Sequence, residues 1–274
     1  MIFDETKCQL GEGPMWHPLR QQLFWFDILG KRLHTKGQHW DFSTYVSAAG
    51  WVDHDTLIVA SANELIHFDI TTGQSINLCD LEADNANTRS NDGRADPQGG
   101  FWIGTMGLNA QMGAGTIYRY YRGEIRPLFP NMQITNAICF SPSGTTAYYT
   151  DTNTQMIMSV SLDLYGWPTG TPQIHIDLRG TDFRPDGAIT DIEGNLFSAQ
   201  WGVGRIAVYN PKGKFIEAFR LPAIQSSCPA FGGDDLSSLF CTTAAVGQDG
   251  PHDGLTYKIH THYTGQVEHQ VRLD

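Results

Sequence analysis

The chain has 274 residues, 41% of them hydrophobic, and a formal net charge of −11. A negative balance of that size, with no basic run to offset it, argues against nucleic acid or an anionic membrane surface as partner. No apolar run reaches the length of a membrane span, and the start, MIFDETKCQL, lacks the basic-then-apolar pattern of a secretory signal. The five cysteines form no CxxC pair and are odd in number, which fits a reducing cytoplasm. Cys139 and Cys241 lie in apolar runs and read as small core residues.

Short strand-like runs bounded by Gly, Asn, Asp and Pro recur along the whole chain, the pattern of antiparallel sheets. The clearest copy is RPDGAITDIEGNLFSAQWGVGR, Arg184 to Arg205. One strand of each copy aligns: Leu23-Phe24-Trp25, Leu57-Ile58-Val59, Phe101-Trp102-Ile103, Ala147-Tyr148-Tyr149, Leu196-Phe197-Ser198 and Leu239-Phe240-Cys241. Their first residues are 34 to 49 positions apart, close to the repeat of propeller blades. The expected fold is therefore all-β, a six-bladed β-propeller with a central channel, and residues 1–274 are expected to form a single domain.

The first unit, residues 8–34, has turns at Gly-Glu-Gly-Pro and His-Pro-Leu-Arg. Glu12 sits between two glycines, where backbone can approach closely. The second, 45–80, has Val46 and Ser47 in the matching position and offers no ligand there. The third, 88–129, gathers Arg89, Asn91 and Asp92 before its strand. Arg89 presents a fork of donors to hydroxyls, carbonyls or an anion. Asn91 donates and accepts at once, which suits polyhydroxy compounds, while Asn91-Asp92-Gly93 also reads as a hairpin-type turn. The Gly-rich loop from Gly107 to Gly115 is either a cover for the channel mouth or an ordinary hairpin connection. The fourth unit, 134–178, opens with Asn136; Asp151 and Asn153 after its second strand read as turn caps. The sixth begins at Gln225, with Cys228 in the matching position and no histidine partner near it to make a nucleophile. In the tail, His260 and His262 fall on one face of an expected strand, and the N-terminal strand is expected to close the ring against this last unit.

One register carries most of the polar chemistry. Glu12, Asn91, Asn136 and Asp186 each lie ten or eleven residues before the aligned strand of their unit. Blade pseudo-symmetry makes these positions equivalent and brings them to one point where the innermost strands begin, at the channel mouth.

The motifs Gly11-Glu12-Gly13-Pro14 with Trp16, Asn91-Asp92-Gly93 with Asp96-Pro97 and Gly104-Thr105-Met106, Asn136 before Phe140-Ser141-Pro142, Pro185-Asp186-Gly187, and Cys228 to Gly233 before Asp235-Leu236 resemble the SMP-30/gluconolactonase/regucalcin-like family over essentially the full length. The resemblance implies a six-bladed propeller that hydrolyses sugar lactones to aldonic acids. It implies one divalent metal ion held by Glu12, Asn136 and Asp186, with Asp186 also the general base, and substrate contacts from Arg89 and Asn91. An oxygen-only set of this kind suits Ca²⁺, Mg²⁺ or Mn²⁺, and carboxylates also bind Zn²⁺. One departure concerns specificity: Asn109 stands where members resembling the animal proteins carry a substrate-touching glutamate, a change expected to tolerate an anionic substrate. A non-catalytic metal-binding or interaction propeller, and an esterase of broader specificity on the same fold, are the alternatives.

Overall fold

The computed structural model describes all 274 residues. They form six four-stranded antiparallel sheets. The innermost strands are Gly11–His17, Val46–Trp51, Thr88–Ala95, Thr135–Phe140, Arg184–Thr190 and Ser226–Gly232. Each lies beside the innermost strands of the blades before and after it, and the sixth returns to the first. The result is a closed six-bladed β-propeller, as the repeat spacing led us to expect.

Burial follows position in the blade. The innermost strands of the first, third and sixth blades are buried throughout, whereas outer strands such as Gln38–Asp41 and Ser75–Asp80 are mostly exposed. Those outer edges are short and polar, which blunts them against pairing with other chains. The core lies in the layers between blades. Met15, Phe24 and Phe26 of the first blade interdigitate with Ala49, Leu57 and Val59 of the second. Trp102 and Ile117 of the third meet Ile138, Phe140 and Tyr149 of the fourth. This explains why the aligned strand of every repeat is so apolar: it is buried on both faces.

The ring is closed by both chain ends. Ile2–Asp4 pairs with Thr256–His260 to complete the sixth sheet. After His260 the chain leaves the sheet, so the expected pairing of His260 and His262 on one strand face does not form. Thr261 turns the chain, its amide and hydroxyl both donating to the Ser237 carbonyl, and His262 is exposed, 3.5 Å from Glu217. The remaining tail crosses one end of the channel. Gly265 bridges to Asp191, the Gln266 amide donates to the Phe140 carbonyl, and the Val271 and Arg272 amides donate to Trp51 and Gly99. Glu268 on this tail forms a buried ion pair with Arg94, inside the ring.

Candidate active site

All six innermost strands share one irregularity. Pairing with the second strand slips between Glu12 and Met15, Val46 and Ala48, Ser90 and Gly93, Asn136 and Cys139, Pro185 and Ala188, and Ser226 and Pro229. A bulge adds a residue to one strand and re-aims its side chains. Here it occurs at the same height in every blade, at the end of the channel opposite the tail. Gly13 within the first bulge has φ +52°, and a Cβ there would stand 2.2 Å from the Ser47 carbonyl oxygen of the next blade. The glycine beside Glu12 is thus required both by its backbone angle and by the close approach of the neighbouring strand.

The bulges open onto a cavity of about 660 Å³. Its lining includes Glu12, Arg89, Asn91, Asn109, Asn136 and Asp186, every site residue expected from the sequence. A hydrogen-bonded chain ties three blades together along its wall. Arg89 Nη1 donates to Asn91 Oδ1 at 2.8 Å and to the Ser90 carbonyl. Asn91 Nδ2 donates to Asn136 Oδ1 at 3.1 Å and to the Thr135 carbonyl at 2.9 Å. Asn136 Nδ2 donates to Thr152 Oγ1 at 2.9 Å, and that hydroxyl donates to the Pro185 carbonyl, one residue before Asp186. Both amides are therefore fixed in orientation. The other nitrogens of Arg89 have no protein partner and are left for a ligand.

The two carboxylates are differently placed. Glu12 and Asp186 are buried, and neither forms an ion pair. Glu12 accepts only the Gly13 amide, at 3.1 Å. Burial raises the proton affinity of Glu12, and the nearby Asp92 raises it further. Asp186 is also pushed well above the usual carboxylate range, by burial first and then by Glu12 and Asp92. Asp92 does not line the cavity; its carboxylate accepts the Ile138 amide at 2.8 Å, and burial lifts it to about 6. Arg89 is lowered to about 10 by burial.

This donor set fits a hard cation. Two buried carboxylates outside ion-pair distance of any base, with only the Arg89 charge near Glu12 to oppose them, leave negative charge in excess, and Asn136 adds an oriented amide oxygen. No group of three or more His, Cys, Asp or Glu side chains gathers anywhere in the fold, so a cation here must use a mixed carboxylate and amide set.

Several lining residues escaped the sequence reading. Thr152, and Asn153 that the sequence suggested as a turn cap, sit on the short 3₁₀ turn Thr152–Thr154 and line the cavity. Asp151 before them caps the approach to the fourth blade, accepting the Gln133 and Ile134 amides. Tyr45, Arg184 and Trp201 also line the wall. For Tyr45 and Arg184 the signal is an offset of two. Leu10, Tyr45, Arg89, Ile134 and Arg184 each precede the bulge-ring residue of their blade by two positions, and all five line the cavity. Side chains two apart share a face of a strand, so one ring implies a second. Cys228, by contrast, does not line the cavity. It packs against Gly187, and burial raises its thiol far above reactivity near neutral pH. Leu108 and Asn109 bring the Gly107–Gly115 connection to the rim. That loop is tied down by the Leu108 amide to the Asn87 carbonyl and by Gln133 Nε2 to the Ala110 carbonyl.

Comparison with known proteins places this arrangement. The family model described as SMP-30/Gluconolactonase/LRE-like region matches residues 10–245. A solved calcium-binding protein, regucalcin, from Agrobacterium tumefaciens strain C58 superposes with a TM-score of 0.96 at 38% identity, covering 99% of this chain and 97% of that one. An L-arabinolactonase of Azospirillum brasilense is 31% identical over 97% of this chain and 93% of its own length. A 6-deoxy-6-sulfogluconolactonase of Pseudomonas putida is 30% identical over 94% of each.

Proposed function

The chain belongs to the SMP-30/gluconolactonase/LRE-like family, and from that premise we propose that it opens the ring of a sugar lactone by hydrolysis, giving the sugar acid. The observation that carries the proposal is one cavity in which two unpaired buried carboxylates, an oriented amide and an arginine with free donors meet from four blades. The relatives named above as lactonases support the substrate class.

We assign Glu12, Asn136 and Asp186 to a divalent cation; the relative described as calcium-binding supports Ca²⁺, and Mg²⁺, Mn²⁺ and Zn²⁺ are the other ions such a set accepts. When bound, that ion would supply polarisation of the lactone carbonyl and acidification of a water molecule. The chain's own groups do the rest. Arg89 and Asn91 hold sugar oxygens against the wall, Arg89 with its unused donors and Asn91 from an amide already fixed by its neighbours. Asn109 reaches the substrate from the rim loop. Asp186 is the general base: it lines the cavity floor with no ion-pair partner to occupy it. It takes a proton from water as the water oxygen bonds to the carbonyl carbon. The ring C–O bond then breaks, and the proton passes to the departing ring oxygen. The apolar part of the lining, such as Leu10, Met106 and Ile134, keeps bulk water from the reacting carbonyl.

No helix is long and apolar enough to cross a membrane, and the five cysteines are all free, which supports the reading of a cytoplasmic protein. The test is proton release from a panel of aldonolactones with and without added divalent ion. Asp186→Asn should lose about 10² to 10⁴ in rate while its circular dichroism is unchanged. Near-normal turnover in that variant removes Asp186 from the reaction, and no release from any lactone favours a binding or regulatory propeller.

A further inference from the structure

The ring of side chains above the bulges differs in charge from the ring at the floor. The floor holds two carboxylates, Glu12 and Asp186; the outer ring holds two guanidinium groups, Arg89 and Arg184, and no acid. The other polar rim residues, Asn109 and Asn153, are neutral. Arg184 is exposed at the start of its strand, and its one polar contact is a long bond to Asn153 Oδ1, 3.4 Å. It has no carboxylate within ion-pair distance, although the chain carries 29 acidic residues against 18 Lys and Arg. A cation left uncompensated at the mouth of a cavity in an acidic protein adds little to folding. It attracts an anion into that cavity.

We infer that Arg184 selects for a sugar lactone bearing an anionic group, a carboxylate or a phosphate-like tetrahedral anion, at the end of the molecule away from the lactone carbonyl. The inference rests on the lactonase reading of the site. The two rings set the orientation. The floor groups are those assigned to the cation that would engage the carbonyl, so the carbonyl lies below and the charged end lies at the rim beside Arg184. Arg184 precedes Asp186 by two residues, about 7 Å of strand rise, a separation comparable to the length of a six-carbon sugar. The planar guanidinium matches a carboxylate or phosphate with paired hydrogen bonds.

The experiment uses D-glucono-1,4-lactone and D-glucaro-1,4-lactone, which share a ring and differ only in a hydroxymethyl or a carboxylate at the far carbon. In the wild type the ratio of kcat/KM, anionic over neutral, should exceed one and fall as salt is raised. Arg184→Gln should lower that ratio about 10- to 100-fold, and Arg184→Lys should lower it less, since lysine keeps the charge but loses the paired hydrogen bonds. An unchanged ratio in Arg184→Gln overturns the inference. Equilibrium binding of D-glucarate, D-gluconate and 6-phosphogluconate, followed by calorimetry in the presence of calcium, reads the same site without turnover. Preference for glucarate identifies a carboxylate site and preference for 6-phosphogluconate a phosphate site; loss of either preference in Arg184→Gln supports the inference, and equal binding of all three by the wild type overturns it. If the wild type hydrolyses neither lactone yet keeps an Arg184-dependent anion preference, the lactonase reading falls and the anion site stands.

Discussion

The carboxylates that make the site useful should make the metal-free protein less stable, and Glu12→Gln measures by how much. Glu12 and Asp186 are buried near each other with no ion-pair partner, and both hold their protons more tightly than in an unfolded chain, Glu12 in spite of the Arg89 charge nearby. Between the ordinary carboxylate range and the raised folded values, the native state binds more protons than the unfolded state, so stability falls as pH rises. Each unit of displacement costs about 1.4 kcal/mol once the group is ionised. Glu12 is raised from 4.5 to about 8, which once the group is ionised comes to roughly 5 kcal/mol. Unfolding entropy of about 2.1 cal/mol/K per residue gives roughly 0.6 kcal/mol/K for 274 residues, so relief of that repulsion is worth about 8 °C. Thermal melts in chelator from pH 5 to 9 should show wild-type stability falling with pH, and Glu12→Gln melting about 8 °C higher at the alkaline end. Added calcium should narrow that gap. An ion at a hundred times its dissociation constant adds about 2.7 kcal/mol to the wild type, and the variant, missing a ligand, should gain far less while losing lactone hydrolysis. A metal-free Glu12→Gln melting below wild type at pH 9 would refute the claim that these charges oppose one another.

Three further outcomes follow from other contacts. Thr152→Val removes the hydroxyl that orients Asn136 and bonds the Pro185 carbonyl; calcium affinity by calorimetry should fall about 10-fold or more, as for other residues that orient metal ligands, and an unchanged affinity would detach Thr152 from the site. Glu268→Ala leaves Arg94 buried without its partner; the cost of roughly 3 to 5 kcal/mol should lower the melting temperature by about 5 to 8 °C, and a fall under about 2 °C would show that the tail's ion pair contributes little. His17 is buried with Nε2 donating to the Asp53 carbonyl and Nδ1 accepting the Arg20 amide, a neutral ring that burial holds down to about 4. The unfolded state therefore binds the extra proton between pH 6.5 and 4, and stability is lost as pH falls through that window by up to about 1.4 kcal/mol per unit. His17→Gln should reduce the slope of urea-derived stability against pH there, and an identical slope would show that His17 titrates normally.

What could be read from the sequence, and what could not, follows from how the blades are built. The aligned runs such as Phe101-Trp102-Ile103 are buried on both faces, so they must be apolar in every copy, and their recurrence was visible without any fold in mind. Polar residues that interrupt this pattern at a fixed offset, such as Glu12 and Asp186, stood out for the same reason. The tail could not be read this way. His260 and His262 alternate as strand residues would, but Thr261 bonds Ser237 and ends the strand between them. Arg94 and Glu268 are 174 positions apart, and nothing in the repeat foretells a partner outside it.

The second ring was hidden by chemistry rather than by distance. Leu10, Tyr45, Arg89, Ile134 and Arg184 mix aliphatic, aromatic and basic side chains, so composition along the repeat gives no sign that they face one cavity. Only the geometry of the strand does. Once the inner ring is placed, the residue two positions upstream, within a residue of the start of the innermost strand, lines the cavity in five of the six blades. The two rings are held differently. The inner one is constrained by its bulges and by the fixed amide chain through Asn91, Asn136 and Thr152, where a change disturbs three blades together. In the outer one Arg89 is tied to Asn91, but Arg184 is held by a lone long contact. A propeller of this construction can keep one reaction at its floor and exchange its substrates by altering the rim, which makes the outer ring the place to look for differences among its relatives.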